Sequence, residues 1–331
     1  GIHCGLKKSN LKKDLALIYS EVPAAASGMF TKNKVKGAPI SISKDHLSNK
    51  KAQAIIVNSG NANTCNGTDG LNKAKKMTGL QAKELNLKAD DILVASTGVI
   101  GVPLNIDAIK SGIPLLTQKL SKEGHDDASS AIMTTDTVKK ELALEFTIGD
   151  KVVTIGAMAK GSGMIEPNMG TMLSFITTDI AITPELLDEA LKSCVKVTYN
   201  RVSVDGDTST NDSVFILANG LAENNLISEK NEDYETFLKA LTDSNTIMAR
   251  NINKDGEGAT KLLECKISGA KTEEDASILG KSVINSPLVK TAMFGSDANW
   301  GRVLCALGYA NINFDPEKVD VSFQSSKGEL N

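Results

Sequence analysis

The chain has 331 residues, 41% of them hydrophobic, enough to bury a substantial core as one large domain or two ordinary ones. Charged residues make up 23% and the formal net charge is -3, with acids and lysines interspersed, so no basic stripe asks for nucleic acid. The longest apolar stretches, at 172–176 and 99–102, fall far short of the roughly 20 residues of a membrane helix. A cytoplasmic protein that neither spans a membrane nor binds nucleic acid is expected.

The first residues, GIHCGLKKSN, carry no secretory core and begin with Gly1, which reads as a trimmed or partial chain. The five cysteines, Cys4, Cys65, Cys194, Cys265 and Cys305, are scattered without a CxxC pair or a nearby metal-spaced histidine, which fits a reducing compartment and no metal site. Only three histidines are present, His3, His46 and His125, each in a polar or terminal stretch and expected at the surface. An acyl-transfer enzyme built from this chain would therefore need another kind of base.

In chain order, β-like runs are expected at 14–20, 54–59, 92–96, 151–159 and 172–182. A helix follows over 183–197, with Thr183 as cap, Pro184 in the first turn, and Leu187, Ala190, Leu191, Cys194 and Val195 sharing one face. Another strand is expected at 214–220, then a helix over 233–244 with Tyr234, Phe237, Leu238 and Leu241 as its apolar stripe. Both stripes read as core. No repeat, low-complexity segment or Pro-rich linker marks a domain boundary.

Strands and helices alternate, but neither a GxGxxG fingerprint nor a phosphate-binding loop is present; GAMAKGSG at 156–163 lacks the glycine directly before the lysine. VDGDTSTND at 204–212 opens like a calcium loop but has Thr210 at the glycine position and Ile216 at the closing acid. SGNANTCNG at 59–67 is rich in turn formers, and Cys65 there has no neighbouring cation to activate it.

The most informative stretch is AKGSGMIEPNMGTMLSFITTD, 159–179, with the Gly170–Thr171 bond as its hinge. A glycine before a threonine leaves the hydroxyl uncrowded near the preceding carbonyl. Attack there converts the amide to an ester, and hydrolysis leaves Thr171 as a new N-terminus carrying nucleophile and amine together. An α-amino group titrates at about 7.7 to 8.0, so it can serve as the base. In VASTGVIG at 94–101, Thr97 and Gly98 follow an apolar strand and could supply oxyanion donors. In DGEGATK at 255–261, Glu257 stands between two glycines, where a carboxylate can meet a cationic group. Alone, each segment also reads as ordinary structure: Gly-Thr before a strand, a plain turn, a solvated loop acid.

Together and in order, these segments resemble the ornithine acetyltransferase family, also called glutamate N-acetyltransferase, of arginine biosynthesis. The matching landmarks are PAAASGMFTKNKVKGAP at 23–39, SGNANTCNG, ASTGVIG, KGSGMIEPNMGTML, VDGDTSTND, DGEGATK and GSDANWGR at 295–302. The resemblance implies an α/β (α+β) fold, a four-layer α/β/β/α sandwich of two intertwined halves. It implies self-cleavage between Gly170 and Thr171 into an α chain, 1–170, and a β chain, 171–331, which stay together as αβ heterodimers and assemble to a heterotetramer. Thr171 is then the acetyl-accepting nucleophile, Thr97 and Gly98 the oxyanion hole, and Thr134, Lys160, Thr171 and Glu257 substrate contacts, with Lys160 pairing a substrate carboxylate.

The implied reaction is ping-pong. N-acetylornithine acetylates Thr171, ornithine leaves, and glutamate departs as N-acetylglutamate, without cofactor or metal; in bifunctional members acetyl-CoA is a further donor. The sequence departs from the family pattern at Gly170, where alanine is more usual, and at Glu166, often histidine. Family members continue past the position of Asn331 and take an asparagine and a hydroxyl residue from that tail, so a protein ending there is expected to have an open pocket and impaired folding or activity. Rival readings are a self-processing aminopeptidase or amidohydrolase passing the acyl group to water, and a processing-dead protein that binds amino acids without turnover.

Overall fold

The computed structural model describes residues 1–166 and 172–330. Its elements are β1 (Leu15–Phe30), α1 (Ala38–His46), β2 (Lys51–Asn61), α2 (Gly67–Leu85), β3 (Ile92–Val99), α3 (Ile106–Gln118), α4 (His125–Ile132), β4 (Lys140–Ile148), β5 (Lys151–Lys160), β6 (Leu173–Thr178), α5 (Pro184–Val197), β7 (Ser213–Ala218) and α6 (Glu232–Lys254). After these come α7 (Glu273–Asn285), α8 (Pro287–Phe294), α9 (Trp300–Gly308) and a small hairpin of β8 (Phe323–Ser325) and β9 (Gly328–Leu330).

Seven strands form one mixed sheet in the order β3-β2-β1-β7-β6-β5-β4. The β2/β3 and β6/β7 pairs are parallel and are bridged by α2 and α5, as parallel neighbours require. The other pairs are antiparallel. The chain on either side of residue 171 is interleaved: β6 and β7 lie between β5 and β1.

Two expected strands differ in extent and one strand was not expected at all. The run at 14–20 is only the start of β1, which shifts register between Tyr19 and Ala24, next to Pro23, whose missing N–H suits a break in the ladder. The run at 172–182 leaves the sheet after Thr178, because local side-chain bonds replace the ladder: Thr178 Oγ1 accepts the Ile180 N–H and Asp179 Oδ1 accepts the Thr154 N–H. The unforeseen β4 joins β5 through a turn at Gly149 and Asp150, with Leu142, Leu144 and Phe146 facing inward.

Alternation along the strands splits the core between two faces. On one face Leu15, Leu17, Ile56 and Val94 pack against Met77, Ile109 and Ile113 of α2 and α3. Ile155, Ile176, Val214 and Ile216 pack against Leu191, Val195, Phe237 and Leu241 of α5 and α6. The other face joins both halves of the sheet in a single cluster: Ile55, Val57, Leu93 and Ala95 with Phe175, Phe215 and Leu217, closed by Ala128, Ala131 and Ile132 of α4. The Phe175 and Phe215 rings stack there at 6.0 Å.

The α5 stripe is buried as its period predicts, but Thr183 makes no side-chain cap bond; its carbonyl accepts the Leu187 N–H and Pro184 opens the first turn. The second helix is longer than expected. α6 is capped by Asn231 Oδ1 on the Tyr234 N–H at 3.1 Å and runs on to Lys254; Tyr234, Phe237 and Leu241 are buried and Leu238 partly so. Residues beyond α6 build a separate, thinner cluster around Leu279, Val283, Val289, Ala306 and Leu307. Among the described residues no helix is long and apolar enough to cross a membrane.

Candidate active site

The carboxyl ends of the parallel strands β2 and β3 form the rim of the site. Their register breaks at Gly60 and Asn61, so that Asn61 pairs with both Thr97 and Val99. Gly98 has φ +129°, and a Cβ there would lie 2.4 Å from the Gly60 carbonyl carbon. Only glycine fits that contact. Thr97, one residue earlier, is buried and accepts a hydrogen bond on Oγ1 from Lys160 Nζ at 3.2 Å.

Beneath the rim, motifs that read as turn formers interlock through Asn211. Its Nδ2 donates to Ala62 O at 2.6 Å and Ser96 O at 2.9 Å, and its Oδ1 accepts from Thr64 Oγ1 at 2.6 Å. Gly37 leaves room for this amide, since a Cβ there would fall 2.6 Å from Asn211 Nδ2. Four of the segments noted in the sequence thus meet around one buried side chain. Satisfied on both its polar atoms, it fixes the loops that carry Thr97 and Gly98.

Lys160 closes β5, opposite Leu173 at the start of β6. Burial, the dominant influence, lowers the proton affinity of its amine, and nearby Lys140 adds to this, whereas Asp136, Asp212 and Glu257 favour its charged form. Among the described residues no carboxylate comes within ion-pair distance of it. Lys140, equally buried on the adjacent strand, differs: its Nζ reaches Asp136 Oδ1 at 2.8 Å and Asp255 Oδ2 at 2.6 Å. Burial alone would raise the Asp136 carboxyl, but Lys160, Lys140 and the Gly161 N–H outweigh it and hold it below the usual range.

Asp212 is the site's buried carboxyl. Its Oδ1 accepts the Met172 N–H at 2.8 Å, and among the described residues its Oδ2 has no partner. Burial pushes its proton affinity well above the usual carboxylate range, only partly opposed by the Met172 N–H, the Thr31 hydroxyl and Lys160. Met172 O in turn accepts the Ser213 N–H, so the start of β6 is pinned beside β7.

The structure brings Thr97 and Lys160 into direct contact. Thr134 is half-buried and donates its N–H to Asp136 Oδ2 at 3.0 Å. Glu257 is exposed at the residue level, yet its carboxylate lies against Gly163, where a Cβ would meet it at 2.5 Å. Gly170 and Thr171 lie outside the described residues. Asp136, Asp212, Asp255 and Lys140 join the site without a signal of their own in the sequence, although Asp212 and Asp255 stand inside VDGDTSTND and DGEGATK and Asp136 lies two residues from Thr134.

The histidines engage elsewhere: His3 Nδ1 with Lys12 O and Asp14, His46 Nδ1 with Ile92 O, His125 Nδ1 with Glu141. Of the three only His125 is exposed; His3 and His46 are half-buried because each ring bonds a backbone carbonyl. Cys65 is exposed and all five thiols are free. Among the described residues no group of three or more His, Cys, Asp or Glu is placed to hold a metal. A groove of about 380 Å³ between α1 and α5 is a separate feature, whose Lys50 and Lys192 are already paired with Glu185 and Asp188.

The fold is a mixed α/β chain in which a buried amine meets a hydroxyl at the end of a parallel strand pair. Residues 1–328 match the ArgJ family. The arginine biosynthesis bifunctional protein ArgJ 1 of Clostridium acetobutylicum is 54% identical over 330 residues, covering 100% of this chain and 81% of the relative. That of Caldanaerobacter subterraneus is 51% identical over the same shares. The crystal structure of ornithine acetyltransferase complexed with ornithine from Mycobacterium tuberculosis aligns at 36% identity over 50% of this chain and 89% of that one, with a TM-score of 0.47. The chain belongs to the ArgJ family, as its ordered motifs indicated.

Proposed function

We propose that this protein is a glutamate N-acetyltransferase that moves acetyl from N-acetylornithine to glutamate through acetyl-Thr171, after cutting itself between Gly170 and Thr171. The observation that carries the reading is Lys160: a buried amine 3.2 Å from the Thr97 hydroxyl, without a carboxylate of its own among the described residues. A buried cation in that condition is completed by an anionic substrate.

In self-cleavage the Thr171 hydroxyl attacks the Gly170 carbonyl, the peptide nitrogen takes a proton and leaves as the α-amine, and water hydrolyses the ester. In transfer, Thr171 attacks the acetyl carbonyl of N-acetylornithine while its α-amine takes the hydroxyl proton and returns it to the departing ornithine nitrogen. The neutral amine of glutamate then attacks the acetyl ester, and the Thr171 oxygen recovers a proton. Thr97 and the Gly98 N–H stabilise the oxyanion of each tetrahedral intermediate. Lys160 pairs the substrate carboxylate, Glu257 meets its cationic group, and Thr134 lines the same pocket. No step calls for a cofactor or metal; acetyl-CoA is the alternative donor in a bifunctional version.

The three clusters support a four-layer α/β/β/α sandwich of intertwined halves, with helices outside and the shared cluster between the sheet halves. Because β6 and β7 are hydrogen-bonded on both sides by strands of the first piece, 1–170 and 171–331 would stay associated as an αβ unit. Pairs of such units would form the cytoplasmic heterotetramer.

Denaturing electrophoresis with N-terminal sequencing tests the cut: two near-equal fragments are expected, the second beginning TMLSF, and one uncut band for Thr171→Ala. Cleavage persisting in that variant sinks the self-processing reading. With N-acetylornithine and glutamate supplied, N-acetylglutamate should accumulate; free acetate alone would mean a hydrolase.

A further inference from the structure

Three substrate-contact positions, Thr134, Lys160 and Glu257, come from distant parts of the chain, and one buried ion cluster ties them together. Asp136 sits at its centre. Its Oδ2 accepts the Thr134 N–H at 3.0 Å, and its Oδ1 accepts the N–H of Gly161, next to Lys160, at 2.7 Å. The same Oδ1 accepts from Lys140 Nζ, which reaches on to Asp255 Oδ2. Asp255 ends α6 and takes the Thr137 N–H and hydroxyl on its carboxylate. Its carbonyl accepts from Ser162 Oγ at 2.6 Å, while Ser162 O accepts the Glu257 N–H at 3.1 Å.

We propose that Lys140 is a positioning residue, which by bridging Asp136 and Asp255 holds Lys160 and Glu257 at the separation that recognises an amino acid carrying both a carboxylate and a distal ammonium. This rests on the proposed acetyl-transfer reading for the two outer contacts. The side chains of Lys140 and Asp136 are fully covered and that of Asp255 nearly so. An ion cluster at such depth adds little net stability, because desolvation offsets attraction, whereas it does fix geometry. The two lysines divide the labour: Lys140 is paired with two carboxylates, and among the described residues Lys160 has a hydroxyl partner and no ion pair, which leaves it for the substrate carboxylate.

The test compares wild type with Lys140→Met, Asp255→Asn and the surface control Lys139→Met, which removes an exposed pair with Asp126. Two readouts are taken: amide hydrogen exchange at Gly161 and Glu257, and Kd for ornithine by calorimetry, with KM and kcat measured separately. In Lys140→Met both amides should exchange faster while α5 stays protected. Kd and KM should rise roughly 10- to 100-fold, the scale of a misplaced contact, with kcat changed less; the control should match wild type. A folded Lys140→Met with wild-type exchange and Kd overturns the proposal. Should Lys140→Met fail to fold, Asp255→Asn, which preserves shape, decides by the same readouts. A wild-type protein that binds no ornithine sinks the acetyl-transfer reading, and the exchange data still decide whether Lys140 clamps the two segments.

Discussion

Lys160 on β5 and Thr97 on β3 meet at 3.2 Å although their strands stand five steps apart in the sheet order. At about 4.8 Å per step a flat sheet would separate them by roughly 24 Å. The sheet therefore turns back on itself along β1, where the register breaks beside Pro23, and the two halves face each other across Phe175, Phe215, Ile55 and Leu93. The site exists because of that turn.

Replacing Lys160 by methionine removes the amine that awaits a carboxylate. The substrate loses a charge-assisted hydrogen bond of about 1.5 to 3 kcal/mol, so KM for the amino acid rises about 10- to 100-fold. The fold should survive the change, because Asp136, which loses the attraction of Lys160, keeps its direct pair with Lys140. A variant with wild-type KM would remove Lys160 from substrate binding.

The same residue sets two pH dependences of opposite sign. Burial lowers its proton affinity below the usual lysine value of about 10.4. Between the lowered and the usual value the unfolded chain holds a proton that the folded chain lacks, so stability rises with pH across that window. Binding of a carboxylate needs the ammonium, so affinity falls over the same window. Denaturation and calorimetry against pH should show both slopes in wild type and lose both in Lys160→Met; parallel slopes in the two proteins would refute the assignment.

Burial raises the Asp212 carboxyl well above the usual carboxylate range, although its Oδ1 accepts the Met172 N–H. Asp212→Asn keeps shape and acceptor and should change stability by less than about 1 kcal/mol, whereas Asp212→Ala strands the N–H and should cost about 1 to 3 kcal/mol. Between the ordinary carboxylate value of about 3.9 and its raised one, the folded state keeps a proton that the unfolded state releases, so stability falls as pH rises. Urea denaturation should show this slope flattened in Asp212→Asn.

Gly98→Ala places a Cβ 2.4 Å from the Gly60 carbonyl carbon and 2.6 Å from the Asn61 nitrogen, at φ +129°. Backbone on both sides cannot yield cheaply. The conformation alone costs about 1 to 3 kcal/mol, and displacing an oxyanion donor should lower kcat by about 10²- to 10³-fold. A stable, fully active variant would exclude Gly98 from the oxyanion hole.

Much of the secondary structure is legible locally. The 3.6-residue period of α5 names its five buried residues, and the apolar runs of β2, β3, β5 and β7 mark four strands of the sheet, from its β3 edge inward. The continuation of β1 through EVPAAASGMF is not legible, since proline and small residues argue against a strand and only pairing with β7 overrides them. β4 alternates Leu142, Leu144 and Phe146 with outward residues, a signal that was present and passed over.

By itself the sequence determined the family and the alternation of strands and helices, which follow from residue order and short-range periodicity; it offered Thr97, Gly98 and Glu257 as candidates, and the family resemblance added Lys160. The tertiary structure alone decided which charges are paired. Lys140 and Lys160 look alike in sequence, yet one is bound by carboxylates 4 and 115 residues away and the other meets a hydroxyl 63 residues away. Coulomb energy depends on distance and on exclusion of water, and neither is written in the order of the residues.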